Sequence, residues 1–228
     1  MDYTFQFGPL VNYLPQFISG FWLTMLLAFV GIFGGIALGV GCAVASTLPG
    51  FLPRFLVRCY VEAMRNTPLL VQIFVIFFGL PNLGVRMSPL TSVFIALVLN
   101  NGGYIAEIVR GGIQSTHRSQ VEAAESLGMT YFQTLRFVIL PPALEKVFTP
   151  VVSQCVLLML STSLVSAIGV EDLTGAAMIA SSETFRTMEV YLVIAAVYVL
   201  MNFVFRAILN LAGLLIFRRS RRNLFRGI

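Results

Sequence analysis

Any chemistry in this chain has to come from a few polar side chains set among long apolar runs. Gln154, Ser161, Thr162, Ser163 and Ser166 put an amide and four hydroxyls into one such run. Groups of this kind can hold a charged ammonium or carboxylate, or simply bond back to carbonyls of their own helix. Glu107 and Arg110 stand three residues apart, as do Glu62 and Arg65, a spacing that puts each pair on one helix face. Either they are ion pairs anchoring a helix bundle, or they gate its mouth. Tyr198, Asn202, Arg206 and Asn210 recur at intervals of four along another run. Arg206 lies about 18 Å of helix before Arg218, deeper than a side chain easily snorkels. An acidic or carbonyl partner inside the bundle is therefore expected, with Glu107 as one candidate. His117 is the lone histidine, and Cys42, Cys59 and Cys155 are scattered, so neither a metal site nor a catalytic triad is expected.

These groups must be positioned by membrane helices. Of the 228 residues 57% are hydrophobic and 11% charged, against roughly 25% charged in an ordinary soluble domain. Mean hydropathy is +0.88. Too little polar surface remains to coat a soluble globule, which excludes a cytosolic enzyme. The net charge of +5 comes from basic residues lying in the gaps between apolar runs. That is a membrane signal, not a nucleic-acid one.

A span needs about 20 mostly apolar residues. Five segments qualify, at about 19–46, 60–80, 90–109, 147–170 and 189–217. The first is too long for a cleavable signal, and no Lys or Arg precedes it. The bases Arg54, Arg58, Arg65, Arg110, Arg118, Arg136, Lys146 and the tail arginines 218, 219, 221, 222 and 226 fall on one side. Arg86 and Arg186 fall on the other, with Asp2, Glu171, Asp172, Glu183 and Glu189. The expectation is an all-α integral membrane protein forming one domain over residues 1–228, its N-terminus outside and its C-terminus inside. Gly31, Gly35, Gly39 and Ala43 line one face of the first span, where backbones can approach closely, which favours tight packing inside the bundle over a subunit contact.

The connection at about 111–145 reads as two short helices on the inner face. Val121–Leu127 is strongly helix-forming and Gly128 stops it. Helix signals resume over Tyr131–Leu140 until Pro141-Pro142, which should end them. Such an element has little to bury by itself, so its exposed surface suits a partner protein. An interfacial helix resting on lipid headgroups is the alternative.

Glu122-Ala123-Ala124, Gly128 and Val138-x-Leu140-Pro141 resemble the EAA signature of bacterial ABC-importer membrane subunits, with Val138 where isoleucine is usual. Arg65-Asn66-Thr67-Pro68-Leu69-Leu70-Val71-Gln72, Tyr104–Gln114, Thr162–Ser166 and Asp172-Leu173 are similar to blocks of the polar amino-acid permeases, the histidine, glutamine, arginine and glutamate type. The resemblance runs from about Thr24 to the tail. It implies a type I importer transmembrane fold in the bacterial plasma membrane. It also implies a second permease subunit, a cytoplasmic ABC ATPase dimer carrying ATP and Mg, an extracytoplasmic amino-acid-binding protein and an amino-acid substrate.

By that resemblance Glu122, Ala123, Ala124, Gly128, Leu140 and Pro141 couple to the ATPase, with Glu122 touching it or capping its own helix. Gln154, Ser161, Thr162, Ser163, Ser166 and Asp172 would belong to the substrate path. The family often carries a lysine and an aspartate where Leu160 and Ser161 stand, so a charged anchor is missing: either the paired subunit supplies the charges, which favours a paralogue, or this chain forms a passive wall of the path. The chain itself should hold no cofactor and hydrolyse no ATP. A phosphate loop needs G-x4-G-K-[ST], and the only lysine, Lys146, follows Glu145. An ion- or proton-coupled carrier is the rival reading, expected to show more spans and a mid-membrane acid in a discontinuous helix. A membrane enzyme would need a nucleophile–base or metal constellation.

Overall fold

A computed structural model describes residues 4–47 and 50–216, all of its regular elements being helical. Asp2 and the arginines of the tail lie outside the described residues. After a 3-10 turn at Gly8–Tyr13 come α1 (Leu14–Ala45), α2 (Phe51–Arg65), α3 (Leu69–Asn82), α4 (Pro89–Gln114), α5 (Arg118–Ser126), α6 (Tyr131–Ile168), α7 (Leu173–Thr184) and α8 (Thr187–Ile216). Four helical stretches are long and apolar enough to cross a membrane, and α2 with α3 would make a fifth if counted together.

The core is the seam between α1 and α4. Its cause is the small-residue stripe, which lies inside the bundle. Gly31 faces Leu97 and Leu158, Gly35 faces Asn101, and Gly39 faces the carbonyl of Gly102 and the Ile105 side chain. A Cβ at Gly35 would stand 2.5 Å from the Asn101 amide nitrogen, so nothing larger than glycine fits. Leu27, Val93, Leu97, Leu158 and Met159 complete the buried layer.

The second span departs from the expected 60–80. Arg65 ends α2, Pro68 adopts an extended conformation, and α3 leaves at 108° to α2. The proline denies Thr67 the helical region, so the run breaks there. The fourteen residues of α3 reach only about 21 Å. A broken helix is thus present after all.

Pro141-Pro142 does not end a helix either. A π-helical turn at Leu135–Ile139 widens the coil, and both prolines fall in the first turn of the following α-helical stretch. The π-turn pairs the Leu140 N–H with the Leu135 carbonyl, and the residue it inserts makes room for rings that would clash in a regular α-helix. The second inner helix is consequently the start of α6, which ends in a 3-10 stretch at Thr162–Ile168. The stretch expected as an outer loop contains α7, too short and too rich in small residues to read as a span, packed against α1 and α8.

At the end of the bundle away from α5 the chain start is pinned to the α7–α8 corner. The Gln6 amide donates to Glu189 Oε1 at 3.1 Å, Tyr13 Oη donates to Glu183 Oε2 at 2.6 Å, and Arg186 reaches Gln6 Oε1 at 3.0 Å.

Candidate functional site

The corner formed by α5 and the start of α6 is built almost wholly from local backbone bonds. The amide of Gly128 donates to the Glu125 carbonyl at 2.9 Å, and that of Met129 to the Ala124 carbonyl at 3.1 Å. This paired closure requires a left-handed residue, and Gly128 has φ +73°. Two residues on, Thr130 and Gln133 cap the start of α6 reciprocally, side chain to backbone, at 2.8 and 3.4 Å. The turn is therefore rigid.

It is also incompletely covered. Ala124 is the buried residue of α5, whereas Leu127 is 82% exposed and Tyr131, Phe132 and Phe137 are exposed beside it. A shallow cleft of about 390 Å³ lies between Leu127, Gly128, Met129, Gln133 and Phe137. Ala123 is exposed, Leu140 half-buried and Pro141 exposed. Glu122 sits beyond the first turn, so it does not cap α5. It accepts a bond from Arg118 Nε at 2.9 Å. His117 is the N-cap residue but gives no side-chain cap.

The charged pairs of the neighbouring region are rearranged relative to the sequence spacing. Glu107 does bind Arg110, with Nε to Oε2 at 2.8 Å. Glu62 does not bind Arg65. Its carboxylate accepts from the Asn66 amide at 2.7 Å, while Arg65 reaches across to Glu107 at 3.5 Å. Glu107 is thus bracketed by two guanidiniums from different helices, and Arg206 is not its partner. Arg206 lies exposed on α8, where no described residue forms an ion pair with it. Next to Glu107 a cavity of about 550 Å³ opens between the end of α1, α2 and the end of α4.

The hydroxyls of α6 are engaged with their own helix. Ser161, Thr162, Ser163 and Ser166 donate to the carbonyls of Leu157, Met159, Leu160 and Ser163, all at 2.7–2.9 Å. Thr162 is fully buried, and Ser161 and Ser163 are half-buried. Gln154 donates to Asn101 Oδ1 at 3.3 Å, and Asn101 donates to the Gly31 carbonyl at 3.2 Å, which links α6, α4 and α1.

A second amide chain was missed in the sequence. Gln72 Nε2 binds Thr67 Oγ1 at 2.7 Å and the carbonyls of Met64 and Thr67 at 3.0 and 3.1 Å, and its Oε1 accepts from Asn100 at 3.1 Å. These carbonyls are the ones orphaned by the break between α2 and α3. Uncharged amides in a broken apolar run, four residues after a proline, were the available signal.

Asp172, placed by the resemblance in the substrate path, does not stand open to it. It is fully buried and caps α7, accepting from the Gly175 amide at 2.9 Å and from Tyr198 Oη at 3.4 Å. Burial pushes its carboxyl up to about 6, against the pull of those donors. The next amide, of Leu173, donates to Thr24 Oγ1 on α1 at 3.1 Å. Among the described residues no group of three or more His, Cys, Asp or Glu is arranged to hold a metal.

Comparison with known proteins agrees with this architecture. A family model described as the binding-protein-dependent transport system inner membrane component matches residues 31–213. The probable amino-acid ABC transporter permease protein YckA of Bacillus subtilis is 34% identical over 197 residues, 86% of this chain and 87% of its own length. The glutamine transport system permease protein GlnP of Escherichia coli is 32% identical, covering 90% of this chain and 95% of its own. A crystal structure of an amino acid ABC transporter with histidines superposes with a TM-score of 0.86 at 36% identity, covering 92% of this chain and 98% of that one. An inward-facing MetNI methionine ABC transporter shares the fold at a TM-score of 0.66 and 21% identity, with 87% and 97% covered.

Proposed function

The chain belongs to the binding-protein-dependent transport system inner membrane components, and from that membership we propose how this multi-pass plasma-membrane permease does its work. It serves an amino-acid importer, forming half of the path beside a second permease subunit. The N-terminus is outside and the end bearing α5 is inside. A cytoplasmic ATPase dimer, carrying ATP and Mg, docks on the α5 corner, and an extracytoplasmic binding protein delivers the amino acid to the opposite end. Residues 1–228 work as one transmembrane unit with no nucleotide site of their own.

One observation carries this reading. The α5 corner is rigid by its own backbone bonds yet leaves Leu127, Tyr131, Phe132 and Phe137 uncovered. A rigid knob with an apolar tip transmits force once something grips it. Glu122, Ala123, Ala124 and Gly128 shape that knob, and Leu140 and Pro141 join it to α6. ATP-driven closure of the ATPase pair then moves α6, and with it Gln154, Ser161 and Ser163 at the path. Fully buried Thr162 and Asp172 shape the path without touching substrate in this conformation. Glu107, bracketed by Arg65 and Arg110, holds the inner ends of α2 and α4 together.

The test is uptake in membranes where ATP is depleted while the membrane potential is kept. Uptake stops in this reading and continues in an ion-coupled carrier. In the same assay Gly128→Asp leaves membrane insertion intact and uncouples ATP hydrolysis from transport. Normal substrate-stimulated uptake by that variant overturns the assignment of the corner.

A further inference from the structure

We infer that the cleft between the end of α1, α2 and the end of α4 binds the phosphate of an anionic phospholipid headgroup. The cavity of about 550 Å³ is lined by Arg54, Arg58 and Arg110 together with Glu62 and Glu107. Both carboxylates are already engaged, Glu107 by Arg110 and Arg65, and Glu62 by the Asn66 amide. Glu62 keeps its charge, since an amide does not neutralise it, so the three arginine guanidiniums and two carboxylates that line the cleft leave it net positive, with Arg54 and Arg58 in no ion pair among the described residues. Planar forks of this kind match phosphate oxygens.

The same helix says which phosphate. Gly50, at φ +114°, turns the chain into α2, and α2 lies at 108° to α3, which packs against the spanning α4, so α2 crosses the line of α3 instead of continuing it. Phe51, Leu52 and Phe55 are exposed, and Phe51 and Phe55 adjoin Arg54 and Arg58 at helical spacing. An amphipathic helix in this attitude rests its apolar row at the acyl boundary and carries its basic row at headgroup depth. A lipid whose chains lie against Phe51, Leu52 and Phe55 brings its phosphate to Arg54 and Arg58. Basic pockets between helices on the cytoplasmic side attract anionic headgroups in this way. The inference takes from the proposed function only which end is inner.

The experiment is lipid retention by the assembled transporter, read by native mass spectrometry after exchange into vesicles with phosphatidylglycerol in both leaflets. Transport is not the readout, so a failed coupling assignment leaves this result interpretable, and lipid in both leaflets makes it independent of orientation. Wild type retains phosphatidylglycerol over phosphatidylcholine. The double variant Arg54→Gln/Arg58→Gln, placed on an exposed helix face, weakens that retention by roughly 30-fold. Arg86→Gln at the opposite end leaves it unchanged. Equal retention in wild type and double variant overturns the site, as does equal retention of phosphatidylcholine. An equal loss in Arg86→Gln makes the effect diffuse charge and overturns it too. Displacement of the lipid by inorganic phosphate at matching concentration would reassign the cleft to a free anion and overturn the lipid assignment.

Discussion

The seam between α1 and α4 and the corner at α5 are both rigid, but for opposite reasons. In the seam, glycines let two helices close until side chains of one fill the backbone of the other, and Asn101 is bonded to Gly31 and Gln154. Every group there is answered within the chain. At the corner, order comes from a glycine-stopped helix and a capping box, bonds spanning three to five residues. Apolar side chains there are left facing outward. A region finished by its own chain responds to mutation in stability, whereas the corner, on the docking proposed above, responds in assembly.

The largest effect that can break this contrast is overpacking the seam. Gly35→Leu drives carbon into Asn101, whose atoms stand 2.5–2.9 Å from even a Cβ. It should cost on the order of 3 kcal/mol or more, seen as loss of monodisperse protein in detergent. Gly41→Leu on the same helix meets nothing within 4 Å of its Cβ and should keep the fold. If the two variants behave alike, the seam is not the organising contact.

Next in size is the corner tip. Leu127→Ser and Phe137→Ser remove exposed side chains, so the thermal midpoint of the isolated chain should move little. Co-purification of the ATPase should fall about tenfold or more for either, the scale of an interface hot spot. A lowered midpoint with unchanged co-purification would invert the comparison.

A smaller, intermediate case is Asp172, an internal group that uses local bonds. Asp172→Ala removes the cap of α7 and should cost about 1 kcal/mol. Asp172→Asn keeps a capping oxygen and sheds a charge that burial disfavours, so it should be neutral or stabilising at pH 7. With the carboxyl raised to about 6 from 3.8, the native state holds a proton that the unfolded state has released between those values. Wild-type stability should therefore fall as pH rises from about 4 to 6, and Asp172→Asn should abolish that slope.

The seam was legible because a four-residue glycine period in a membrane helix marks a close helix contact, and it lies here inside the bundle and not between subunits. The stop at Gly128 was legible as well, because few residues tolerate that backbone. What misled was proline, which ends a helix or begins one depending on what precedes it. Thr67-Pro68 follows a helix already ending at Arg65 and breaks the span, while Pro141-Pro142 follows a π-helical turn and is absorbed. Partners were the other gap. Spacing fixed which residues share a face, so Glu107–Arg110 emerged, but the reach of Arg65 to Glu107 depends on how α2 meets α4. The hydroxyls of α6 could have served a ligand or their own helix, and spacing does not choose, but all four bond to backbone carbonyls three or four residues back.

The smallest expected change in stability is also the one that separates the two regions most cleanly. Glu122 and Arg118 form an exposed pair four residues apart on α5, worth about 0.5 kcal/mol at most. Glu122→Gln should leave the melting of the isolated chain within that margin, because nothing in the fold leans on the pair and Glu122 caps no helix. Any loss of ATPase attachment then has to come from a contact made between chains. If attachment falls in Glu122→Gln and also in Arg118→Gln, the partner reads the pair as a unit. If only Glu122→Gln weakens it, the carboxylate itself touches the partner and Arg118 merely orients it. If neither matters while Leu127→Ser does, the grip on this corner is apolar and charge only sets its approach, a distinction that salt dependence of the association rate would register.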